Sequence, residues 1–379
     1  MLIRMWMVLV GLATLAVATG WLPDGDAIDI GVTRAAPILG FLVAVTILAE
    51  LSEAAGVFDA AAAVCARWAR GRVAVLFVLV AVLATLVTIG MSLDTTAVLL
   101  TPVVLATTRR LGLPPLPFAV LVVWLANTAS LLLPVSNLTN LLAMQHARLS
   151  AIRFAAHMSV PALVAIVLTV GYLAVVFRRQ LTGRYPIPEP ETPADPVAFG
   201  VCALACVGFA VAVAGGIVPW LAATTAAVVA VTVSALRGRT RLRWSLLPWR
   251  LVLTTEALFL VVAAITRHGL GHLLALAADH AGPATAVTAA VSSNLVNNLP
   301  AYLAMETTIP SGSGSARLFD VLVGTNTGPL ITMWASLATL LWAERCRAAG
   351  VHIRPLAFAA LGLGGVPLIL LGTLAALHR

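Results

Sequence analysis

Charged residues are scarce in this sequence, and lysine is missing altogether. Only 10% of the 379 residues are charged, whereas 61% are hydrophobic and the mean hydropathy is +1.02. Soluble domains carry about 25% charged residues, so this composition excludes a soluble globular protein. Several apolar runs reach the roughly 20 residues that are needed to cross a bilayer. The sequence therefore predicts an all-α polytopic membrane protein.

The basic residues are all arginine, and their placement argues against nucleic acid as a partner. The 23 arginines give a formal net charge of +8, but they lie in short loops between apolar runs, where they set orientation. Arg4 and the arginines of RWARGR (67–72) flank the first two spans, 5–21 and 35–55, and the acidic stretch PDGDAIDI between these spans is predicted to be a loop. We expect a retained first helix rather than a cleaved signal peptide. The pattern predicts a multi-pass protein of the inner (plasma) membrane with a cytoplasmic N-terminus.

Motifs for several kinds of chemistry are missing. The sequence contains no Walker loop, no GxSxG and no HExxH, so neither ATP hydrolysis within this chain nor a known hydrolase chemistry is expected. The four cysteines show no CxxC spacing, which argues against a zinc site and a disulfide framework. Cys202 and Cys206 lie four apart on one predicted helix, where a thiophilic ligand is conceivable but ordinary packing is favoured. We expect no cofactor and no enzymatic activity.

A group of histidines near residue 270 raises the question of a metal site. Their segment is predicted to lie at the outer surface and to be amphipathic. Solvated side chains are therefore favoured over metal ligands, and no metal is expected. The residues concerned are His268, His272, Asp279 and His280.

Two segments predict hairpins, and two predict broken helices. Residues 73–108 have arginine-rich ends and carry the polar break SLDTT, so the chain returns to the side from which it entered. Two full crossings would also fit, but a re-entrant hairpin fits better because the second arm is short. Residues 283–305 repeat this pattern around SSNLVNNLP. Polar runs also interrupt the spans 116–147 and 319–342, and such breaks are tolerated where protein or a cavity satisfies the backbone.

The two halves of the chain read as repeats. NTA at 127–129 recurs as NTG at 326–328, and the hairpin tips pair Asp94 with Asn297 at a slightly different offset. An odd number of crossings separates the repeats, so they have opposite orientation. Inverted repeats with discontinuous helices are the architecture of secondary transporters. The predicted repeats are 1–177 and 197–379, with a proline-rich cytoplasmic linker at 178–196.

Four polar stretches coincide with the breaks, and the repeat symmetry would bring them together. Half-helix ends and free carbonyls can bind a solute that has both donors and acceptors. Ser, Thr and Asn also hold membrane helices together, but four clusters related by a repeat favour a binding site. The predicted substrate- and ion-binding residues are Ser92, Asp94, Thr95, Thr96, Asn127, Thr128, Ser130, Ser136, Asn137, Ser293, Asn294, Asn297, Asn298, Thr325, Asn326, Thr327 and Ser336.

Asp94 differs in kind from the other predicted site residues. A charge on a membrane helix costs roughly 2.5–3.5 kcal/mol on insertion scales, so a functional role is favoured over a structural one. Burial without a nearby arginine should raise the pKa of this carboxyl, which suits a proton-coupling site. Glu50, Glu53 and Glu256 are lesser candidates, because each is placed near the end of a span.

At these clusters the sequence resembles a known family. SLDTTAVLLTP, NTASLLLPVSNLTNLL, SSNLVNNLP and GTNTGPLITMWASLATLLW are similar, in order and spacing, to motifs of the ArsB-type arsenite permeases in the ion transporter superfamily. The resemblance implies export of arsenite or antimonite, driven by the membrane potential, a proton gradient or a separate ATPase subunit. It also implies a homodimer with a scaffold and a moving transport domain, whose hairpin tips flank the substrate.

Physical chemistry ranks the substrates of that superfamily for this chain. Asp94 stands where an anion would bind, and like charges repel strongly in a site of low dielectric constant, so dicarboxylates are disfavoured unless Asp94 is protonated. Arsenite at neutral pH is an uncharged trihydroxide, which suits Asn and Thr with Asp94 taking the proton. Sodium exchange for protons is the alternative, since a carboxylate with hydroxyls and carbonyls also makes a cation site. A membrane-embedded enzyme or a sensor is disfavoured, because neither needs inverted repeats.

Overall fold

The computed structural model describes residues 2–189, 193–237, 247–270, 282–310 and 316–379. Nearly all of them are helical, and extended backbone pairs only in an isolated bridge between Arg72 and Arg184 within these ranges. Seven helical stretches of the described chain are long and apolar enough to cross a membrane. The prediction of an all-α multi-pass membrane protein is confirmed.

The first half begins with two long apolar helices and a short amphipathic one. The second helix, and the second arm of the first hairpin, each run through a π-helical segment without a break. The helices of this half are α1 (Leu2–Ala18), α2 (Asp24–Ala54), α3 (Val57–Trp68), α4 (Val73–Gly90), α5 (93–110), α6 (Pro115–Thr128), α7 (Leu138–His146) and α8 (Ala151–Val176).

The second half, as far as it is described, starts four of its helices with proline. Proline fits the first turn of a helix, because the missing N–H would have no partner there and the ring fixes a helical φ. Pro196, Pro219, Pro283 and Pro355 occupy this position. The helices are α9 (Pro196–Ala214), α10 (Pro219–Leu236), α11 (Trp249–Ile265), α12 (Pro283–Val296), α13 (Asn298–Glu306), α14 (Ala316–Thr327), α15 (Leu337–Ala348) and α16 (Pro355–Leu377).

The segments predicted as hairpins and as broken helices each form a pair of helices, and their re-entrant or interrupted course in a membrane stays a prediction. Hairpin 1 consists of α4 and α5, and hairpin 2 of α12 and α13, each turning within one or two residues. Broken helix 1 consists of α6 and α7, and broken helix 2 of α14 and α15. Short 3₁₀ turns at Ala129–Leu131 and Gly328–Leu330 end the first half of each broken helix. The second arm of hairpin 1 was expected to be short. It is instead a continuous helix over residues 93–110, because the threonines of the polar break belong to the helix.

Helix packing is reciprocal between the two halves. α1 packs along α11 while α2 packs along α10, and α8 pairs with α16. Both arms of hairpin 1 contact α6, as both arms of hairpin 2 contact α14. Similarly, α15 contacts α5 and α6, as α7 contacts α13 and α14. Every one of these contacts has its counterpart when the halves are exchanged. This is the pattern that two related repeats require, whereas their opposite orientation in the membrane stays a prediction.

The acidic stretch PDGDAIDI differs from its prediction as a loop. Its residues from Asp24 onward form the first turns of α2. Asp24 and Asp26 lie in the first turn, where negative charge is stabilised by the helix dipole, and Asp26 pairs with Arg267 at 2.6 Å. The same residue types therefore suit a helix start as well as a loop.

The histidine group near residue 270 is described only in part. His272, Asp279 and His280 lie outside the described residues. His268 stacks on Trp21 at 4.7 Å between ring centroids, and its Nε2 lies 2.9 Å from the Trp21 carbonyl oxygen. Among the residues that the structure describes, no group of three His, Cys, Asp or Glu side chains is placed to hold a metal ion.

Candidate functional site

Four helices start inside the protein with a side-chain cap, and these starts form the framework of the site. Ser92 and Ser336 accept the backbone N–H three residues ahead at 3.0 and 3.1 Å. Asn137 and Asn297 accept the N–H two residues ahead at 3.2 and 3.4 Å. Serine and asparagine are among the preferred caps, because their oxygens satisfy N–H groups that have no helical partner. Each hairpin and each broken helix thus contributes one polarised N-terminus.

Asn326 joins the two broken helices. Its Oδ1 accepts hydrogen bonds from Ser130 Oγ at 2.8 Å and from Asn137 Nδ2 at 2.7 Å. Its own amide nitrogen donates to the Leu322 carbonyl at 2.8 Å, which fixes the side chain on α14. All three polar residues are buried. The predicted meeting of these two polar stretches is therefore seen in the structure.

The tip of hairpin 1 is a compact hydroxyl cluster. Ser92 Oγ donates to Thr95 Oγ1 at 2.9 Å, and Thr96 Oγ1 lies 2.8 Å from Thr88 Oγ1. Thr96 also donates to the Ser92 carbonyl at 3.1 Å. Ser136, in the break of broken helix 1, donates to the Ile89 carbonyl at 3.1 Å. The tip therefore lies against the broken segment, where sequence analysis expected it.

Asp94 lies in the first turn of α5, directly beside this cluster. It is half-buried, while Leu93 and Thr95 on either side are buried. Within the described chain its carboxylate has no hydrogen bond and no ion pair. Burial disfavours the charged form, whereas the N-terminus of a helix favours it. Burial and the helix N-terminus therefore act in opposite directions on the charge of Asp94, and its carboxylate oxygens are available to bind a proton or a solute.

Hairpin 2 is tied to the break in broken helix 2. Asn294 Oδ1 accepts from both the N–H and the hydroxyl of Thr332 at 2.9 Å, and its amide donates to the Gly328 carbonyl at 2.8 Å. Asn297 Nδ2 donates to the Trp334 carbonyl at 2.9 Å. The backbone N–H of Asn298 donates to the Ala335 carbonyl at 2.8 Å. Three residues of the tip, Asn294, Asn297 and Asn298, are therefore hydrogen-bonded to this break.

The sequence alignment of the two repeats placed Asp94 opposite Asn297, and the structure places these residues at different positions of their helices. The cap of α13 is Asn297, and the cap of α5 is Ser92. Aligning cap with cap places Asp94 opposite Leu299, two residues after the asparagine. Asn297 also adopts a φ of 92°, which Ser92 does not. The tips have different local geometry, which explains their irregular offset in the sequence.

Some predicted site residues form hydrogen bonds only or mainly within their own helix. The hydroxyls of Ser293, Thr325 and Thr327 donate to carbonyls one turn back, and Thr128 does so while also accepting from Thr169 at 3.2 Å. Sequence reasoning missed several polar residues that take part in these hydrogen bonds. Most of them lie within four residues of a helix break or hairpin turn, and this proximity could have identified them. They are Thr88, Asn140, Thr332, Trp334 and Thr339.

Two buried amide oxygens near the break of broken helix 1 have no hydrogen-bond partner among the residues that the structure describes. They are Oδ1 of Asn127 and Oδ1 of Asn140. The nitrogen of Asn127 donates to the Val123 carbonyl at 2.9 Å, and that of Asn140 to the Ser130 carbonyl at 2.6 Å. Buried acceptors usually find a donor, so these oxygens suit a solute that carries hydroxyl groups.

The secondary candidates lie away from these tips. Cys202 and Cys206 face α2, where Cys206 Sγ lies 3.1 Å from Ser52 Oγ, and both belong to the packing of α9 against α2 and α10. Glu50 and Glu53 are at the end of α2, and Glu256 lies in α11. Within the described structure no hydrogen bond joins any of these five residues to the capped helix starts.

Comparisons of the sequence with known proteins identify the family to which the chain belongs. The sequence profile of the CitMHS family, described as a citrate transporter, matches residues 1–339. The arsenical pump membrane protein of Yersinia enterocolitica is 32% identical over 327 residues, which is 79% of this chain and 76% of that protein. The protein of the same name from Escherichia coli (strain K12) is 32% identical over 357 residues, which is 87% of this chain and 83% of that protein. The chain belongs to the citrate transporter family and is an ArsB-type ion transporter.

A solved structure agrees with this family at the level of the fold. The YdaH transporter of Alcanivorax borkumensis superposes with a TM-score of 0.60 at 15% identity, over 99% of this chain and 96% of that one. For this ArsB-type transporter the likeness confirms the helical membrane fold. The predicted resemblance to the ArsB-type family, made from the four motifs at the breaks, is confirmed.

Proposed function

We propose that this ArsB-type protein exports arsenite or antimonite in exchange for protons. The observation that carries the proposal is Asp94, a half-buried carboxylate without a partner in the described structure, at a hairpin tip made of hydroxyls. A group that takes up a proton beside a solute site can couple the two. The arsenical pump membrane proteins that share 32% of its residues support the same substrate class.

The chemistry of the site favours an uncharged hydroxylated solute. Arsenous acid presents O–H donors to acceptors such as Asn127 Oδ1 and Asn140 Oδ1, for which the described part of the chain supplies no donor. Its oxygens accept from hydroxyls and from the polarised helix starts. Citrate, after which the family is described, carries several negative charges and would have to bind beside Asp94. Repulsion at low dielectric constant disfavours that arrangement unless Asp94 is protonated.

Alternating access supplies the mechanism in this proposal. Hairpin 2 and broken helix 2 move together, because Asn294 and Asn297 bind the break directly. Movement of the hairpins and broken helices against α1, α2, α10 and α11 would expose the site to one side at a time. We also propose a homodimer with a cytoplasmic N-terminus, and a separate ATPase subunit where the cell supplies one.

Transport in everted vesicles from cells that express wild type or Asp94→Asn tests the function. Arsenite accumulation that requires a proton gradient and is lost in the variant is the expected result. Asp94→Glu keeps the carboxylate and should retain part of the activity. Full arsenite accumulation in Asp94→Asn would overturn the coupling role of Asp94.

Sodium/proton antiport is the second candidate, because a partnerless carboxylate among hydroxyls and carbonyls also suits a cation. The same vesicles distinguish the two functions. Sodium-induced proton movement without arsenite accumulation would assign the protein to antiport.

A further inference from the structure

A second carboxylate lies buried at the far end of hairpin 2. Glu306, the last residue of α13, is 1% exposed. Tyr302 Oη donates to its Oε1 at 3.0 Å, and the same oxygen lies 3.6 Å from Nδ1 of His146, the last residue of α7. The contact therefore joins hairpin 2 to broken helix 1.

The hydrogen bond on the other side of the imidazole fixes where its proton lies. His146 Nε2 is 2.8 Å from the Ile309 carbonyl oxygen, which can only accept. Nε2 must therefore carry a proton, and in the neutral imidazole Nδ1 is then a bare acceptor. Two acceptors, Nδ1 and the Glu306 carboxylate, would face each other. Their approach is attractive only when one of them carries an additional proton.

We propose that Glu306 and His146 form a proton-binding site whose proton holds hairpin 2 against broken helix 1. When the proton leaves, an acceptor faces a carboxylate and the contact loosens. Histidine is the side chain suited to this exchange near neutral pH. The pair is separate from Asp94, which lies at the tip of the other hairpin.

Of the four helices that pack against α13, namely α7, α11, α12 and α14, two carry titratable or charged groups other than His146. α12 carries none, and α7 carries only His146. On α14, Arg317 donates to Thr308 Oγ1 at 3.1 Å. Asp320 is bound by the Gly282 N–H at 2.6 Å and by His378 Nε2 at 2.7 Å. On α11 the groups are Arg250 and Glu256.

The Asp320–His378 contact shows what distinguishes the proposed site. There a ring N–H can donate directly to the carboxylate, so the neutral imidazole already makes a favourable bond. At His146 the N–H on the far nitrogen is committed to Ile309, and the carboxylate faces the other nitrogen. Only the second arrangement requires a further proton.

The position of the pair connects it to transport, in so far as the protein is the proton-coupled exporter proposed above. α7 begins at the cap Asn137 and α13 at the cap Asn297, and both caps belong to the substrate site. Each helix has nine residues, so the proton site is about 13 Å from the caps. Its proton would lock the distal ends of two helices whose starts hold the solute.

Nitrogen-15 NMR of histidine-labelled protein in nanodiscs tests proton binding directly. The His146 signals are assigned by their loss in His146→Gln. We expect the pH at which they change to be lower in Glu306→Gln than in wild type, because the extra proton loses its carboxylate partner. Glu344→Gln, an exposed change on α15, should leave them unaltered. An unchanged midpoint in Glu306→Gln would overturn the proposal.

Transport measurements separate this proposal from the proposed function. With pH varied on each side of the membrane in turn, Glu306→Gln and His146→Gln should both lose the pH dependence of arsenite exchange on one side. His352→Gln, exposed near the start of α16, is the matched control. If wild type moves no arsenite but His146 still responds to Glu306, the proton site stands and the substrate proposal fails. If both variants keep the wild-type pH profile, coupling through this pair is wrong.

Discussion

At the scale of single residues, the centre of the molecule depends on amide side chains more than on charges. Asn326 receives two hydrogen bonds from the opposite broken helix and donates a third within its own. An asparagine can do this because it has both an acceptor and donors on one planar group. Leucine or alanine at this position would leave the two halves of the site without their shared partner.

We expect Asn326→Ala to lower the free energy of unfolding by about 1–3 kcal/mol, because Asn137 Nδ2 is left buried without an acceptor. Ser130 keeps a second acceptor, the Asn127 carbonyl at 2.7 Å. Thermal unfolding of the purified protein in detergent measures the change. Thr373→Val is the matched control, since that buried hydroxyl bonds only to Ile369 within α16. Equal losses in the two variants would contradict the role of Asn326.

Sequence reasoning at this scale found the residue types but not all of their partners. The break residues were recognisable, because Ser, Asn and Pro interrupt apolar helices for local reasons. The bond of Asn294 to Thr332 was not, since nothing local indicates which distant side chain satisfies an amide. Glu306 and His146 were missed for the same reason. Each lies at an ordinary helix end, and only their contact in the folded protein indicates a proton-binding site.

At the scale of elements, glycines decide how closely hairpin 2 approaches broken helix 2. Gly324 on α14 and Gly328, the first residue of the 3₁₀ turn that follows it, lie one turn apart and face α12. A Cβ at Gly328 would lie 2.6 Å from Ala290 Cα, and one at Gly324 would lie 2.6 Å from Ala289 Cβ and overlap the Ala286 carbonyl. Small residues four apart allow helices in membranes to pack at short distance. The bonds between Asn294 and the break depend on this approach.

We expect Gly324→Ala and Gly328→Ala each to destabilise the protein by about 1–3 kcal/mol through overpacking and to reduce transport. Gly208→Ala on α9 is the control, because its Cβ would meet nothing within 4 Å. The readouts are the unfolding midpoint in detergent and arsenite exchange in vesicles. Unchanged values in both Gly324→Ala and Gly328→Ala would show that α12 can shift without consequence.

At the scale of the whole molecule, the sequence predicted the order of helices better than their relative arrangement. Hairpins, breaks and long spans follow from apolar length and from Pro, Ser and Asn at their ends. The stretch at Asp24 was wrongly assigned to a loop, since acidic residues occur both in loops and in first helical turns. The register of the hairpin tips was also wrong by two residues, because only one tip has a backbone with positive φ at its cap, Asn297.

The opposite orientation of the repeats makes a prediction about accessibility. Arg70 and Pro114 are exposed at the two ends of hairpin 1, and Ala284 and Thr307 at the two ends of hairpin 2. We expect single cysteines at the first two positions to react with a membrane-impermeant maleimide from the cytoplasmic side. Cysteines at the other two should react only from the outer side, because an odd number of crossings separates the hairpins.

The labelling is done in a background in which the four natural cysteines are replaced, with Thr182→Cys in the exposed linker, which is proposed to be cytoplasmic, as the reference. Intact cells and everted vesicles present opposite faces to the same reagent, so each variant serves as its own control. Reaction of all four hairpin positions from one side would mean that the repeats are parallel. Reciprocal packing of the helices would then need a different symmetry, and transport by exchange of two inverted halves would lose its structural basis.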